Sequence, residues 1–256
     1  MLGAIAGDII GSVYEAIPIK STEFRLFSPR ATFTDDTVLT VASAYAIIEN
    51  IDYADAFKRF GKKYPHAGYG VSFYHWIFSS DSRPYYSWGN GSAMRVSPVG
   101  FAFDSIDDVL REAEKSAVVT HNHPEGIKGA QATALAVFLA RKGESKEYIK
   151  REISNRFAYN LNRTLNEIRP GYRFDVSCQG SVPESIIAFL EARDFEDAVR
   201  KAVSLGGDSD TMACIAGGIA QAFYQEIPEE IVHNVRARLP EEFLLIMDEF
   251  NERFGK

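Results

Sequence analysis

The chain has 256 residues, of which 46% are hydrophobic and 25% charged, proportions typical of a folded globular protein rather than a disordered one. Its net charge of -7 at pH 7 argues against a surface for nucleic acid, which needs clustered Lys and Arg, although backbone N–H groups can still bind a phosphate. Two cysteines are too few for a disulfide framework, as expected in a reducing compartment.

The N-terminal segment, MLGAIAGDIIGSVYE, predicts a helix with a stripe of small residues. Gly3, Gly7 and Gly11 are four residues apart, so they share one helix face and favour close approach of a second backbone or a ligand. The segment lacks a basic beginning and contains Asp8, so we do not interpret it as an export signal. Because no apolar run approaches roughly 18 residues, we expect a cytoplasmic protein without a membrane partner.

Two acidic clusters stand before nearly uncharged runs. In FTDDTVLTVASAYAII, Asp35 and Asp36 predict a helix start, because Asp and Thr accept hydrogen bonds from first-turn N–H groups and suit the positive end of a helix. One cap needs only one such residue. The arrangement returns in GGDSDTMACIAGGIAQAF, where Asp208 and Asp210 precede a similar run, and this repetition suggests a common function.

Residues 65–100, PHAGYGVSFYHWIFSSDSRPYYSWGNGSAMRVSPVG, depart from the helical pattern. Gly, Pro, Ser and Asn interrupt a dense set of aromatic residues, which predicts a long, ordered and functional loop. GNGSAMR lacks the lysine of a Walker loop, yet N–H groups beside glycines at a helix start can cradle a diphosphate. The aromatic candidates for stacking on a flat ring are Tyr69, Phe73, Tyr74, Trp76 and Trp88.

Helix start signals recur along the chain. They stand at Asp52, Ser105, Ser181 (with a glutamate three residues later), Pro228 and Pro240. We find neither a convincing strand series nor a linker rich in Pro or Ser. The chain is therefore predicted to be mainly α and to form a single domain over residues 1–256.

The two acidic clusters would require cations if the fold brought them together. Two unit charges about 4 Å apart interact by roughly 4 kcal/mol at an effective dielectric near 20, so converging carboxylates must take up protons or bind cations. Oxygen ligands favour Mg, Ca or Mn over zinc or copper. A calcium-binding loop starting at Asp208 fails, because Met212 and Ile219 occupy ligand positions. The alternative is a pair of solvated helix caps.

Six motifs in this order resemble the ADP-ribosylglycohydrolase family, which includes dinitrogenase reductase-activating glycohydrolases. They are GAIAGDIIGSVYE, FTDDTVLT, YGVSFYHW, SWGNGSAMRVSPVG, VTHNHPEGIKGAQA and LGGDSDTMACIAGGIA, spanning residues 3–220. The resemblance implies an all-α fold, a single compact orthogonal bundle of helices with a binuclear magnesium or manganese centre in a central cleft. It also implies removal of ADP-ribose from a protein side chain of the arginine or serine type, or from a small acceptor.

Carried over residue by residue, the resemblance implies roles for both clusters and for the glycine-rich turn. The implied metal ligands are Thr34, Asp35, Asp36, Asp208, Asp210 and Thr211. The implied catalytic residues are Glu15, Asp35 and Asp210, with the acid that accepts the proton of water left open. The implied substrate-binding residues are Gly89, Asn90, Gly91, Ser92, Met94 and His121. The alternatives are a surface carboxylate for Glu15 and a structural histidine for His121.

The sequence leaves two other functions open. The first is hydrolysis of O-acetyl-ADP-ribose or another free ADP-ribosyl metabolite at the same site. The second is a non-catalytic protein that binds ADP-ribose or serves a structural role, since a fold can persist after activity is lost. The expected partner is therefore an ADP-ribosylated protein or a small molecule containing ADP-ribose. Neither the acceptor nor the oligomeric state is predicted.

Overall fold

The computed structural model describes residues 1–255, and this part of the chain is helical. Its helices are α1 (Leu2–Ala16), α2 (Asp35–Glu49), α3 (Tyr53–Lys63), α4 (Val71–Phe78), α5 (Gly91–Met94), α6 (Ser97–Ala102), α7 (Ile106–Val118), α8 (Pro124–Arg141), α9 (Lys146–Phe157), α10 (Leu165–Ile168), α11 (Cys178–Leu190), α12 (Phe195–Val203), α13 (Ser209–Tyr224), α14 (Glu229–Arg236) and α15 (Glu241–Phe254).

The all-α prediction is confirmed. Strand-like pairing within residues 1–255 is limited to an isolated antiparallel bridge between Gly89 and Ser177. Buried apolar side chains from Met1 to Phe250 form one continuous hydrophobic cluster, so the helices pack into a compact bundle. Among the helices described, none has the length and hydrophobicity needed to cross a bilayer.

The centre of the bundle is the antiparallel pair of α1 and α13. A Cβ atom on Gly7 would lie 2.0 Å from the Ala213 carbonyl oxygen, and one on Gly11 would lie 2.5 Å from the Cα of Asp210. Only glycine permits such a short distance between the two backbones. The stripe of Gly3, Gly7 and Gly11 therefore serves close helix packing, and it brings the last turn of α1 to the start of α13.

Most predicted helix starts are confirmed. The side chains of Asp52 and Ser105 accept first-turn N–H groups of α3 and α7, while Pro228 and Pro240 directly precede α14 and α15. These signals act within a few residues of the chain, which is why they can be recognised from sequence.

The helix start predicted at Ser181 is wrong. α11 begins at Cys178, with Ser177 as its N-cap accepting the Gly180 N–H. The Ser181 hydroxyl instead donates to the Ser177 carbonyl at 2.7 Å. Two capping signals overlap in the sequence, and a hydroxyl that bonds back to the preceding turn does not cap a helix.

The long loop predicted over residues 65–100 is also interrupted by helices α4, α5 and α6. Phe73, Trp76 and Ile77 of α4 are buried, and their spacing of three and four residues gives this short helix one apolar face against the core. The aromatic density therefore reflects core packing as well as the cleft described below. The irregular connections before and after α4 supply the remaining cleft residues.

Candidate active site

Two helix N termini bring the acidic clusters together. Thr34 is the N-cap of α2 and Asp208 is the N-cap of α13, and both helices pack against α1. The Thr211 hydroxyl donates a hydrogen bond to Asp36 Oδ2 at 3.3 Å, although the two residues are 175 positions apart. The positive ends of two helix dipoles thus face one concentration of negative charge.

Thr34 is held by a buried carboxylate of α1. Asp8 accepts hydrogen bonds from the Thr34 hydroxyl at 2.7 Å and from the Thr34 N–H at 2.9 Å, and Thr37 donates its N–H and its hydroxyl to the same carboxylate. The Thr34 oxygen also accepts the Asp36 N–H at 3.3 Å. A hydroxyl has one proton and two lone pairs, so one lone pair of Thr34 remains available to a ligand.

The second cluster is oriented from α13 and from the glycine-rich turn. Asp208 accepts a hydrogen bond from the side-chain amide of Asn90 at 2.7 Å, and Asp210 Oδ1 accepts the Thr211 N–H at 2.9 Å. Ser209, between the two acids, turns away, and its hydroxyl lies within hydrogen-bond distance of two carbonyl oxygens, Gly207 at 3.2 Å and Tyr14 at 3.3 Å. The acidic side chains are therefore the members of the cluster that converge.

Asp35, Asp36, Asp208 and Asp210 line one end of the same cleft and are called the acidic group below. Glu15 reaches the acidic group from the solvent side. It lies in the last turn of α1, and one of its oxygens is within 4.8 Å of oxygens of Asp208 and Asp210. Burial, followed by the charges of Asp208 and Asp8, raises the pKa of Glu15. Burial and the charges of Asp36 and Asp208 raise the pKa of Asp210 well above 3.8.

The pKa values of Asp35 and Asp36 are also raised. Burial and the charges of Asp8 and Asp208 raise the pKa of Asp35 to about 8. Burial and the charges of Asp8 and Asp35 raise the pKa of Asp36 well above 3.8. In addition, Asp36 Oδ1 is buried and has no hydrogen-bond partner within residues 1–255. Carboxylates arranged in this way must bind protons or cations.

The donor set fits a hard divalent cation. The converging atoms are carboxylate and hydroxyl oxygens, the ligands that magnesium, calcium and manganese prefer. Of these oxygens, Asp36 Oδ1 and one lone pair of Thr34 have no partner in the described part of the chain. This acidic group could therefore hold metal.

A cleft of about 620 Å³ runs from the acidic group to the glycine-rich turn, a volume in the range of small-molecule sites. Five residues predicted to bind substrate line it: Gly89, Asn90, Gly91, Met94 and His121. The sixth, Ser92, is fully buried, and its hydroxyl donates to the Gly126 carbonyl at 2.7 Å. The Asn90 side chain also points to Asp208 rather than along the cleft.

His121 forms a neutral wall of the cleft. Its Nδ1 lies 2.8 Å from Thr120 Oγ1, and a Cβ atom on Gly91 would lie 3.1 Å from its Nε2. Burial and the charge of Arg95 lower the pKa of His121 well below 6.5. Arg95 is itself fully buried and donates to the Ser116 carbonyl and to Thr120 Oγ1.

Sequence reasoning missed part of this site. Asp8 entered it only as an argument against an export signal, although a single acid within an apolar helical run is a recognisable signal. The aromatic set named above was too broad, because Tyr69, Tyr74 and Trp76 lie outside the cleft lining. Phe73 and Trp88, the latter 47% exposed, are part of it. Further lining residues were not identified at all, among them Val71, Tyr86, Ser87, Phe174 and Val176.

Known proteins are similar to this chain in sequence over most of its length. A family model described as ADP-ribosylglycohydrolase matches residues 1–255. The chain is similar to ADP-ribosylhydrolase ARH3 of Mus musculus, at 27% identity over an alignment 315 residues long. The alignment covers 90% of this chain and 84% of that protein. It is likewise similar to ADP-ribosylhydrolase ARH3 of Homo sapiens, at 27% identity, covering 90% of this chain and 86% of the relative.

A bacterial relative and a solved structure extend the comparison. ADP-ribosylarginine hydrolase Tri1 of Pseudomonas putida (strain GB-1) is 26% identical over 271 residues, covering 92% of this chain and 72% of that protein. A solved structure titled ADP-ribosylglycohydrolase-related protein complex superposes with a TM-score of 0.75 at 23% identity, covering 98% of this chain and 96% of that chain. That likeness shows the shared fold.

Proposed function

The chain belongs to the ADP-ribosylglycohydrolase family, a family of glycohydrolase enzymes, and from this premise we propose that it releases ADP-ribose from a modified protein side chain. The relatives named above are an ADP-ribosylhydrolase and an ADP-ribosylarginine hydrolase. The second name supports an arginine linkage as the first substrate to test, and the serine linkage implied by the sequence motifs is tested beside it. A small ADP-ribosylated acceptor is the alternative substrate of the same site.

The hydrogen bond between Thr211 and Asp36 is the observation that carries this proposal. It joins the two clusters into one group of oxygen ligands at one end of a cleft. We propose that two divalent cations, Mg²⁺ or Mn²⁺, are held there by Thr34, Asp35, Asp36, Asp208, Asp210 and Thr211. When bound, the cations supply Lewis-acid charge that neutralises the carboxylates and polarises oxygen ligands.

The shape of the cleft suggests how ADP-ribose would lie. The acidic end suits the hydroxyl groups of the distal ribose, because carboxylates accept hydrogen bonds from them. The turn at Gly89 and Gly91 suits the diphosphate, because the absence of side chains lets anionic oxygens approach backbone N–H groups. Trp88 offers an exposed ring near this turn, where a flat base can stack.

The proposed reaction is hydrolysis at C1 of the distal ribose. The bond from C1 to the acceptor nitrogen or oxygen breaks, and the oxygen of water bonds to C1. Glu15 is the proposed acceptor of the water proton, since a carboxylate with a raised pKa holds a proton more readily. Glu15 then returns this proton, directly or through solvent, to the nitrogen or oxygen that leaves C1, so that water is divided between the two products. Asp35 and Asp210 hold the ribose and the water in position, which lowers the entropic part of the barrier.

The test is an activity screen with paired variants. Purified protein with magnesium or manganese is given ADP-ribosyl-arginine peptide, ADP-ribosyl-serine peptide and O-acetyl-ADP-ribose, and released ADP-ribose or product is measured. Asp210→Asn is expected to lose at least about a hundredfold in kcat, as removal of a group that stabilises the transition state typically does. Glu114→Gln, an exposed acid of α7, is the matched control and should retain activity.

The outcomes separate the candidate functions. Turnover of peptides supports the protein hydrolase, whereas turnover of O-acetyl-ADP-ribose alone supports the metabolite hydrolase. ADP-ribose binding without turnover of any substrate would point to a binding protein. Wild-type activity in a folded Asp210→Asn preparation would contradict the proposed site.

A further inference from the structure

Helix α4 exposes a stripe of apolar side chains. Val71, Tyr74 and Phe78 are 74%, 39% and 50% exposed, and their spacing places them along one helix face. The rings of Tyr74 and Phe78 touch, with their centroids 5.1 Å apart. We refer to Val71, Tyr74 and Phe78 as the α4 stripe. Single exposed apolar residues are normal, but a contiguous group indicates a contact surface.

The helix that carries the stripe is firmly anchored. Its opposite face places Phe73, Trp76 and Ile77 in the core. Lys58 lies over the ring of Trp76 at 4.8 Å and donates to the Ser79 carbonyl at 2.9 Å, just beyond the end of the helix. Because these contacts hold the buried face in place, the helix cannot rotate, and the α4 stripe stays exposed.

The stripe begins at the acidic end of the cleft. The Asp35 N–H donates to the Ala67 carbonyl at 2.8 Å, and Gly68 lies so close that a Cβ atom there would be 3.4 Å from Asp35 Oδ1. Val71, three residues later, lines the cleft and starts the stripe. An acceptor attached to the distal ribose would leave the cleft at this end, beside α4.

We propose that the α4 stripe contacts the polypeptide that carries the ADP-ribosyl group, and this rests on the proposed function. The eight helical residues from Val71 to Phe78 are separated by seven steps of about 1.5 Å, so the stripe extends about 10 Å. This equals about three residues of extended chain at roughly 3.3 Å each. The stripe side chains carry no charge, so they fit apolar residues that flank the modified side chain. A small acceptor ends inside the cleft and does not reach Tyr74 or Phe78, which lie outside the cleft lining.

The experiment compares substrates that do and do not extend to the stripe. Tyr74→Gln and Phe78→Gln remove apolar contact without changing the net charge, and both positions are exposed. Leu245→Gln, at a 64% exposed position of α15, is the matched control. The substrates are an ADP-ribosylated peptide with apolar flanking residues, the same peptide with serine flanks, and the corresponding ADP-ribosylated free amino acid.

We expect the double variant Tyr74→Gln/Phe78→Gln to lower kcat/KM for the apolar peptide about tenfold, in the range of a contact residue at an interface. Turnover of the free amino acid conjugate should stay unchanged, as should every activity of Leu245→Gln. Equal losses on all three substrates, or no loss on the apolar peptide, would overturn the proposal.

Two further results have defined meanings. If the wild-type protein cleaves only the free conjugate, the stripe proposal fails while hydrolase activity stands; if it cleaves nothing, the proposed function fails and the stripe proposal with it. Sedimentation velocity tests the remaining possibility, which is that a second copy of this chain binds the α4 stripe. A wild-type dimer that Tyr74→Gln/Phe78→Gln converts to monomer would assign the stripe to self-association and overturn its role in substrate contact.

Discussion

Thr34 donates its hydroxyl proton to Asp8, with 2.7 Å between Thr34 Oγ1 and Asp8 Oδ1. Thr211, its counterpart in the second cluster, donates instead to Asp36, which is itself a proposed metal ligand. The first threonine is thus oriented by α1 independently of any cation, while the second depends on the acidic group. A side chain that orients a ligand in this way tunes the affinity of the site.

Asp8→Asn is therefore expected to weaken magnesium or manganese binding by about 10- to 100-fold, the usual effect of removing a partner of a metal ligand. The amide nitrogen of asparagine would face hydroxyl and N–H donors, so Thr34 would lose its fixed orientation. Isothermal titration with each metal measures the change. Asp107→Asn, on the exposed first turn of α7, is the control. Unchanged affinity in a folded Asp8→Asn protein would contradict this role.

Metal removal is expected to lower the melting temperature. Cations that bind only the folded state stabilise it by about 2.7 kcal/mol when their concentration is 100 times Kd. Without metal, Asp36→Asn should raise the melting temperature, because it removes one ionisable carboxyl from a repulsive group. With magnesium, the same variant should be stabilised less than the wild-type protein. Melting curves with chelator and with excess magnesium test both statements. Curves that coincide for the wild-type protein would rule out the proposed metal centre.

His121 is expected to make the protein less stable as the pH falls. Its pKa lies well below 6.5 in the folded protein, while the unfolded chain titrates near the ordinary value. Below about pH 6.5 the unfolded state binds a proton that the folded state does not, so the free energy of unfolding falls by up to about 1.4 kcal/mol per pH unit.

The comparison with His121→Asn isolates this contribution. Both proteins are unfolded in urea between pH 5 and 7 with chelator present. The difference between their free energies of unfolding cancels the contribution of the acidic group, which changes with pH in the opposite direction because its pKa values are raised. The wild-type protein should lose stability relative to the variant as the pH falls. Parallel pH profiles would show that His121 does not titrate between the two states.

Gly7→Ala is expected to destabilise the fold severely. The new Cβ atom would lie 2.0 Å from the Ala213 carbonyl oxygen, so α1 and α13 would have to separate. Overpacking costs typically about 1–3 kcal/mol, and more where backbone is the obstacle. Gly171→Ala, where no atom lies within 4 Å of the added Cβ, is the control. Denaturant unfolding compares the two, and equal stability would contradict the close contact.

Local features of the molecule could be recognised from sequence. The helix starts at Asp52, Ser105, Pro228 and Pro240 depend on hydrogen bonds and backbone preferences within a few residues. The same holds for the acidic clusters, whose composition alone predicts hard cations. The start at Ser181 was wrong because a second signal lay four residues away, and only the packed helix distinguishes them.

The arrangement of those features was decided by the tertiary structure. The role of Asp8, the orientation of Asn90 toward Asp208 and the burial of Ser92 each involve residues far apart in the chain. So does the exposure of the α4 stripe beside the acidic end of the cleft. The sequence by itself determined which residues begin helices and which carry charge, because these properties are local. Only the close packing of α1 against α13 and α2, which sums contacts over the whole core, determined which of those charges share one site.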